Sequence, residues 1–293
     1  MKLWLALPAL PPGQELRDYV VAAQQAGAAG VTVSEHLIVP ATVGKYPYSG
    51  EQAQIPLGTQ FPDLIALIAD LAARSGSIRF MTNMLIAPLL HPLILARQVA
   101  TLAALTDGRV DLGIGAGWMR EEFDAVGVPF EERGARMNEI IALLPQLWSG
   151  EVVEHEGKCF QFDKVQTPTP PCSVPIYVGG NSEFALRRAA KFADGWSGVG
   201  LFEFQLEEVL AQIADAASKH RDPARKPLEI RTLLKGRVDP ARLAAHARLG
   251  VDALVLQNWQ VTGEKPFAKQ SAAQVGEKLA ELTAICAQLG GGN

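Results

Sequence analysis

The chain has 293 residues, of which 48% are hydrophobic, and a mean hydropathy of +0.10, so it can bury the core of one domain of barrel size. A formal charge of -4 and a pI near 5.8 give no basic field for nucleic acid, and a small-molecule partner is favoured. The three cysteines are widely spaced, which excludes a disulfide framework and a zinc motif, and no apolar run approaches the ~20 residues of a membrane-spanning helix. We therefore expect a soluble, cytoplasmic protein without a metal, nucleic-acid or membrane partner.

Short strand-like runs alternate with helical patterns along the whole chain. In order, the strand runs are KLWLALP, GVTVSEH, IRFMTNMLIAP, GRVDLGIGAGW, PIYVGG, DGWSGVG, LEIRTLLKG and DALVLQ, and a helical pattern follows each one. Residues 110–114 lack strict apolar/polar alternation, which is typical of parallel strands buried on both faces. Eight such units predict a single (β/α)8 barrel domain over residues 1–293, rather than an open doubly wound sheet.

Two connecting segments are longer than usual for a compact domain. Residues 37–60 follow the second predicted strand, and residues 150–175 precede the fifth. Loops of this length in a compact domain are usually either functional lids or disordered. In the second segment, VVEHEGKCFQF contains two strand-like runs around Glu156 and Gly157, which predicts a β-hairpin.

Candidate active-site residues lie at the carboxyl ends of the predicted strands, because that face carries the active site in such barrels. At the second strand, His36 follows Glu35, and an imidazole placed there can exchange a proton with a substrate near neutral pH. The other interpretation is a structural histidine bonded to a neighbouring loop. Elsewhere, His91 is predicted to cap a helix, and solvent exposure is expected for the remaining histidines, His155, His220 and His246.

The stretch GGNS, residues 179–182, lies between a predicted strand and an amphipathic helix. Gly179 and Gly180 let the main chain approach a ligand, and Asn181 or Ser182 caps the helix, so that free N–H groups can bind a phosphate. The simpler interpretation is a turn with a helix cap.

The stretch GIGAGW at the fourth strand is not a dinucleotide-binding loop, because Trp118 stands at the sixth position from Gly113 where that motif needs glycine. Either its glycines leave room for a flat ring, or small residues fit the narrow barrel interior. Four aromatic residues are candidates for the walls of a planar ligand, although isolated aromatic residues more often belong to the core: Trp118, Trp196, Tyr46 and Tyr48. The chain contains no GxSxG nucleophile motif and no HxH or HExxH metal motif.

Several of these motifs together resemble a known family. GRVDLGIGAGW followed by EEFDAVGVPFEERGARMNEII, then PIYVGG and RAAKFADGWSG, is similar to the bacterial luciferase-like oxidoreductases, which depend on flavin or on the deazaflavin coenzyme F420. The resemblance spans nearly the whole chain. It implies a (β/α)8 barrel that binds its ring cofactor at the carboxyl mouth, F420 as the cofactor with FMN as the alternative, and a homodimer.

The resemblance also implies roles for particular residues. A non-prolyl cis peptide is expected between Asn83 and Met84, where it would support the back of the ring. Ala116, Gly117 and Trp118 would lie against the ring or the side chain attached to it. The phosphate would be received by Gly179, Gly180, Asn181 and Ser182.

The pair Glu35 and His36 matches an acidic-histidine pair of deazaflavin enzymes, in which aspartate is more common than glutamate. His36, with Glu35, is therefore the candidate for catalytic proton transfer. In the sugar-phosphate dehydrogenase branch a glutamate follows the fourth-strand glycine, whereas this chain has Trp118, so a sugar phosphate is not expected as the substrate.

The expected function is hydride transfer between F420 and a small organic substrate. The alternative within the family is an FMN-dependent monooxygenase that uses O2 and reduced flavin from a separate reductase. Two alternatives lie outside this family: a non-catalytic binding protein that keeps the barrel, and a metal-dependent barrel aldolase or isomerase.

Overall fold

The computed structural model describes residues 1–44, 55–265 and 270–290. In chain order the strands are β1 (Lys2–Ala6), β2 (Gly30–Val33), β3 (Arg79–Thr82), β4 (Leu85–Ile86), β5 (Val110–Gly115), β6 (Val153–Glu156), β7 (Gln161–Val165), β8 (Ile176–Gly179), β9 (Gly195–Leu201), β10 (Glu229–Leu234) and β11 (Ala253–Gln257). The helices are α1 (Gln14–Gln25), α2 (Leu64–Ala73), α3 (Pro92–Leu105), α4 (Arg120–Ala125), α5 (Arg133–Leu147), α6 (Glu183–Phe192), α7 (Glu203–His220), α8 (Pro240–Arg248), α9 (Asn258–Thr262) and α10 (Ala272–Gly290).

Eight of the strands close into a parallel barrel, which confirms the predicted fold. The order around the barrel is β1, β2, β3, β5, β8, β9, β10 and β11, and β11 pairs with β1 to complete the circle. The two-residue β4 lies beside β5 after the end of β3. The predicted strand–helix units all occur in the predicted order. In the described ranges, no helix combines the length and the apolar character needed to cross a membrane.

The long segment before β8 contains the predicted hairpin. Its strands β6 and β7 pair antiparallel, with Glu156 opposite Gln161. Glu139 of α5 accepts hydrogen bonds from the backbone N–H groups of Cys159, at 3.0 Å, and Phe160, at 3.1 Å. The hairpin is thereby tied to the outer layer of helices. The other long segment, residues 37–60, lies partly outside the described residues.

The main core lies between the barrel and the surrounding helices. Leu3 and Leu5 of β1 and Leu112 and Ile114 of β5 are at most 2% exposed, and they pack in one cluster with the apolar faces of the helices. Each such side chain stabilises the fold by about 2 kcal/mol. This layer fixes the positions of the strand ends, on which the site at the mouth depends.

Inside the barrel, the amino-terminal half is filled by charged and aromatic side chains. Arg231 of β10 donates to Asp111 of β5, at 2.7 Å, and to the Tyr177 hydroxyl, at 2.6 Å. Its guanidinium also lies over the rings of Trp4 and Tyr177. Burial raises the pKa of Tyr177, so its hydroxyl stays protonated and donates to Glu229 at 2.6 Å. This packing fills the barrel interior on the amino-terminal side, and we call the opposite side, where the carboxyl ends of the strands lie, the mouth.

The prediction that Trp196 walls a ligand is wrong. Trp196 is the second residue of β9 and is 0% exposed, and its indole N–H donates to the carbonyl of Gly180 at 2.8 Å. It packs in the main core cluster with the helices, and its neighbour Gly195 faces the Tyr177 ring inside the barrel, so Trp196 faces the helix layer. Two of the other predicted wall residues, Tyr46 and Tyr48, lie outside the described residues. The remaining one, Trp118, lies at the candidate active site.

The histidines other than His36 have different environments. His91 caps α3 as predicted, since its Nδ1 accepts from the N–H of Leu93 at 3.3 Å. His220 is exposed, and His155 is half-buried beside Glu139. The expected exposure of His246 is wrong, because it is fully buried in α8 with Nδ1 2.8 Å from the Arg242 carbonyl.

Candidate active site

His36 lies at the mouth of the barrel, three residues beyond the end of β2, against side chains from two other segments. Its Nδ1 is 3.2 Å from Oε1 of Glu122. The imidazole meets the rings of Phe61 and Trp118 edge to face, with centroids 5.0 and 5.8 Å away. The side chain is 16% exposed. One ring nitrogen is thus fixed, and the ring keeps limited access to solvent between apolar walls, which suits proton exchange with a bound molecule.

Glu122 is a candidate functional residue that the sequence analysis did not select. It is the third residue of α4, and its side chain is 0% exposed. Its Oε1 accepts a hydrogen bond from the backbone N–H of Leu37 at 2.7 Å, in addition to its contact with His36. Its Oε2 is buried and has no hydrogen-bond partner among the described residues. Glu122 thereby joins the loop after β5 to the loop after β2.

Glu35 precedes His36 in the loop after β2 and joins that loop to β4. Its Oε2 accepts a hydrogen bond from the backbone N–H of Ile86, the last residue of β4, at 3.1 Å. Burial, with a smaller effect of the negative charges of Asp63 and Glu122, raises the pKa of Glu35 to about 7, although the Ile86 N–H and His36 act in the other direction. Near neutral pH this carboxyl can therefore hold or release a proton.

The peptide bond between Asn83 and Met84 is cis, as the resemblance implies. The Ser197 hydroxyl donates to the side-chain oxygen of Asn83 at 3.5 Å. The Met84 side chain lies across β5 and β8, where a Cβ added to Gly179 would be 2.7 Å from Met84 Cγ and one added to Gly115 would be 3.3 Å from Met84 Cβ. Protein atoms therefore already fill the space that these two glycines create.

The loop after β5 needs its last glycine for a different reason. Gly117 has a φ of +80°, and a Cβ there would be 2.6 Å from the Phe123 ring. Ala116 and Trp118 flank it, and both are half-buried. A positive φ together with a close neighbour explains why this position is glycine. The turn presents Trp118 toward His36.

The loop after β8 turns at Gly180 and leads into the capped start of α6. Gly180 has a φ of +107°, and Ser182 caps α6 by accepting from the N–H of Ala185 at 3.3 Å. The Asn181 side chain bonds to both the N–H and the carbonyl of Val199, each at 3.3 Å. Each of these side chains keeps a donor that the bonds above do not use, the Ser182 O–H and the second N–H of Asn181, and the main-chain N–H groups at the start of α6 are further donors for a ligand.

The predicted strand-end residues thus meet at one mouth, together with three residues that sequence reasoning missed, Phe61, Glu122 and Ser197. A signal for Glu122 was present: Met119, Glu122 and Phe123 have i, i+3, i+4 spacing and are all buried. That spacing places Glu122 on the inward face of α4, whereas its neighbour Glu121 is less buried. Phe61 and Ser197 carry no comparable signal.

The fold is a (β/α)8 barrel, the class of enzyme whose active sites lie at the carboxyl ends of the strands, and the residues described above meet at that end. Residues 3–288 match the family model described as luciferase-like monooxygenase. The chain therefore belongs to the luciferase-like monooxygenase family and is an oxidoreductase, which confirms the resemblance.

Individual relatives agree with this assignment. An uncharacterized protein of Mycobacterium tuberculosis, Rv0940c, is 35% identical over 195 residues, which are 66% of this chain and 67% of that protein. The F420-dependent glucose-6-phosphate dehydrogenase of Beutenbergia cavernae is 31% identical over 279 residues, 92% of this chain and 76% of that protein. The crystal structure of the monooxygenase RslO1 from Streptomyces bottropensis shares the fold, with a TM-score of 0.73, 20% identity and coverage of 96% of this chain and 98% of that one.

Proposed function

We propose that this protein transfers a hydride between coenzyme F420 and a small, uncharged organic substrate, with His36 as the proton donor or acceptor. The observation that carries the proposal is the fixed imidazole at the mouth, 3.2 Å from a buried carboxylate and between two aromatic rings. When bound, F420 supplies hydride chemistry, because it has carbon where flavin has N5 and reacts poorly with O2. The F420-dependent dehydrogenase among the relatives supports this choice of cofactor.

The residues at the mouth fit such a cofactor. The main chain around Gly180, with its φ of +107°, and the start of α6 form a cradle for a phosphate. Asn83, Met84 and the loop of residues 116–118 would hold the ring. Gly179, Gly180, Asn181 and Ser182 would receive the phosphate, through backbone N–H groups and through the donors that the Asn181 and Ser182 side chains keep.

The surroundings of His36 favour a neutral substrate. Phe61 and Trp118 supply apolar contact area next to its ring. The charged groups that act on Glu35 include the carboxylates of Asp63 and Glu122, which would repel an anion. Trp118 stands where a sugar-phosphate dehydrogenase has its acid, and an indole does not transfer a proton. We therefore infer that small carbonyl compounds or alcohols, rather than sugar phosphates, are the substrates.

The second candidate is an FMN-dependent monooxygenase that receives reduced flavin from a separate reductase. The description of the matching family model favours it. In that case the same cradle would bind the FMN phosphate, and His36 would exchange protons with an oxygenated substrate. Homodimer formation and a cytoplasmic location stay predictions in both cases.

Cofactor binding and oxygen uptake separate the two candidates. The purified protein is titrated with F420 and with FMN, and each reduced cofactor is then mixed with the protein in an oxygen electrode. We expect tight binding of F420, slow oxygen uptake, and reoxidation of reduced F420 by members of a panel of short ketones and aldehydes but not by a sugar phosphate. Binding of FMN alone, with rapid oxygen consumption, would contradict the F420 proposal.

The role of His36 is tested by His36→Ala, with His220→Ala on the exposed end of α7 as the matched control. A well-placed general acid or base contributes roughly 10²- to 10⁴-fold in rate, so we expect His36→Ala to lower kcat by that order and to leave the Kd for the cofactor nearly unchanged. The control should behave like the wild type. Equal kcat values for all three proteins would remove His36 from the reaction.

A further inference from the structure

The position of Glu122 carries an inference beyond the family assignment. Glu122 comes from the loop region after β5, whereas the two groups that it contacts, His36 and the N–H of Leu37, come from the loop after β2, 86 and 85 residues earlier in the chain. Its side chain is completely buried. Burial of a carboxylate costs free energy unless the charge is paired and hydrogen-bonded, and removal of its partners would leave that cost uncompensated.

The hydrogen bonds at Oε1 decide which nitrogen of His36 carries the proton. The N–H of Leu37 can only donate, so Oε1 accepts that bond at 2.7 Å. The same oxygen lies 3.2 Å from Nδ1 of His36, and an oxygen that accepts there pairs with an N–H on Nδ1. In the neutral imidazole Nε2 then has the free lone pair. Among the residues that the structure describes, none forms a hydrogen bond with Nε2.

The two neighbouring rings restrict the remaining freedom of the imidazole. Phe61 and Trp118 meet it edge to face, with interplanar angles of 79° and 90°. A flip of the ring would place a carbon next to Oε1 and forfeit the hydrogen bond. The contacts of His36 therefore specify one orientation as well as one tautomer.

We propose that Glu122 is a positioning residue, which holds His36 in the tautomer with the proton on Nδ1 and presents Nε2 to the substrate at the mouth. The catalytic consequence rests on the proposed function of His36, whereas the tautomer itself does not. Glu122 does not need to touch the substrate, because it acts through the orientation of His36, as an orienting carboxylate does in other enzymes that use a histidine base.

The tautomer is measured by nuclear magnetic resonance on protein labelled with ¹⁵N at histidine, without cofactor, at about pH 8.5, where an ordinary imidazole is neutral. The resonances of His36 are assigned by their loss in His36→Ala. We expect the proton on Nδ1 in the wild type. A proton on Nε2 in the wild type would overturn the proposal without any need for a variant.

Two variants at position 122 then test the cause. Glu122→Gln keeps an oxygen that can accept from both Leu37 and His36, so the Nδ1–H tautomer should persist. Glu122→Leu removes the acceptor, and we expect a mixture of tautomers there. Glu121→Leu, at the neighbouring position of α4, is the matched control and should leave the tautomer unchanged. An unchanged tautomer in Glu122→Leu would refute the positioning role.

Kinetics on the same variants separate this proposal from the proposed function. We expect Glu122→Leu to lower kcat about 10- to 100-fold with little change in KM. This loss is part of the 10²- to 10⁴-fold rate increase that a well-placed acid or base supplies. Glu122→Gln should keep most of the wild-type kcat. If Glu122→Leu changes the tautomer but not kcat, the positioning of His36 stands and its role as proton donor or acceptor falls.

Discussion

Replacement of Glu35 by glutamine should make the protein more stable at alkaline pH. Glu35 accepts a hydrogen bond from the N–H of Ile86, and the amide oxygen of glutamine can accept the same bond. Glutamine therefore imitates the protonated form of Glu35 in shape and charge. The two proteins should differ only where the native glutamate is ionised.

The sign and size of the effect follow from the raised pKa of Glu35. Burial lifts it from 4.5 to about 7, so the native state binds the proton more tightly than the unfolded state. The stabilisation from this group is complete below about pH 4.5 and is lost as the pH rises through about 7. One pKa unit corresponds to ~1.4 kcal/mol, and after a discount for partial solvent access we expect the wild type to lose about 1–3 kcal/mol between pH 5 and pH 8 that Glu35→Gln keeps.

Thermal unfolding at a series of pH values measures this difference. At pH 5 the wild type and Glu35→Gln should have similar Tm values, and at pH 8 the variant should unfold about 2–8 °C higher. Glu207→Gln, at an exposed position of α7, is the control and should track the wild type at every pH. Because other titrating groups affect both proteins equally, a constant Tm difference across the series would refute the reasoning about Glu35.

Two further predictions concern stability and use matched pairs. Gly117→Ala should destabilise the protein by about 1–3 kcal/mol more than Gly127→Ala. Both glycines have a positive φ, but only at Gly117 would a Cβ lie 2.6 Å from the Phe123 ring. Equal unfolding free energies of the two variants would contradict this. Asp111→Asn should lower the free energy of unfolding by about 3–5 kcal/mol, and Asp70→Asn should lower it by less than about 1 kcal/mol. Each carboxylate pairs with two arginines, but the Asp111 side chain is 1% exposed and the Asp70 side chain is 35% exposed. Denaturant unfolding of both variants checks this, and similar losses would show that burial of the ion pair is not what matters.

Much of the architecture could be predicted from the sequence because its determinants are local. Apolar periodicity located the eight strand–helix units, and the two runs around Glu156 predicted the hairpin. Asn181 and Ser182 before an amphipathic helix indicated a cap, which the structure places at Ser182. Strand ends of a parallel barrel share one face, so His36 and the GGNS loop could be assigned to the same mouth before their contacts were known.

Contacts between distant segments were decided by the tertiary structure alone. Glu122 reaches His36 across 86 residues, and Asp111 reaches Arg231 across 120. The same is true of burial: Trp196 and His246 are enclosed because neighbouring elements cover them, which no local pattern showed. Periodicity in a sequence specifies which residues share a face of a helix or strand, whereas the partner that meets that face depends on how the barrel closes. The sequence therefore determined the barrel and its mouth, and the closed barrel determined the neighbours that give His36 its orientation.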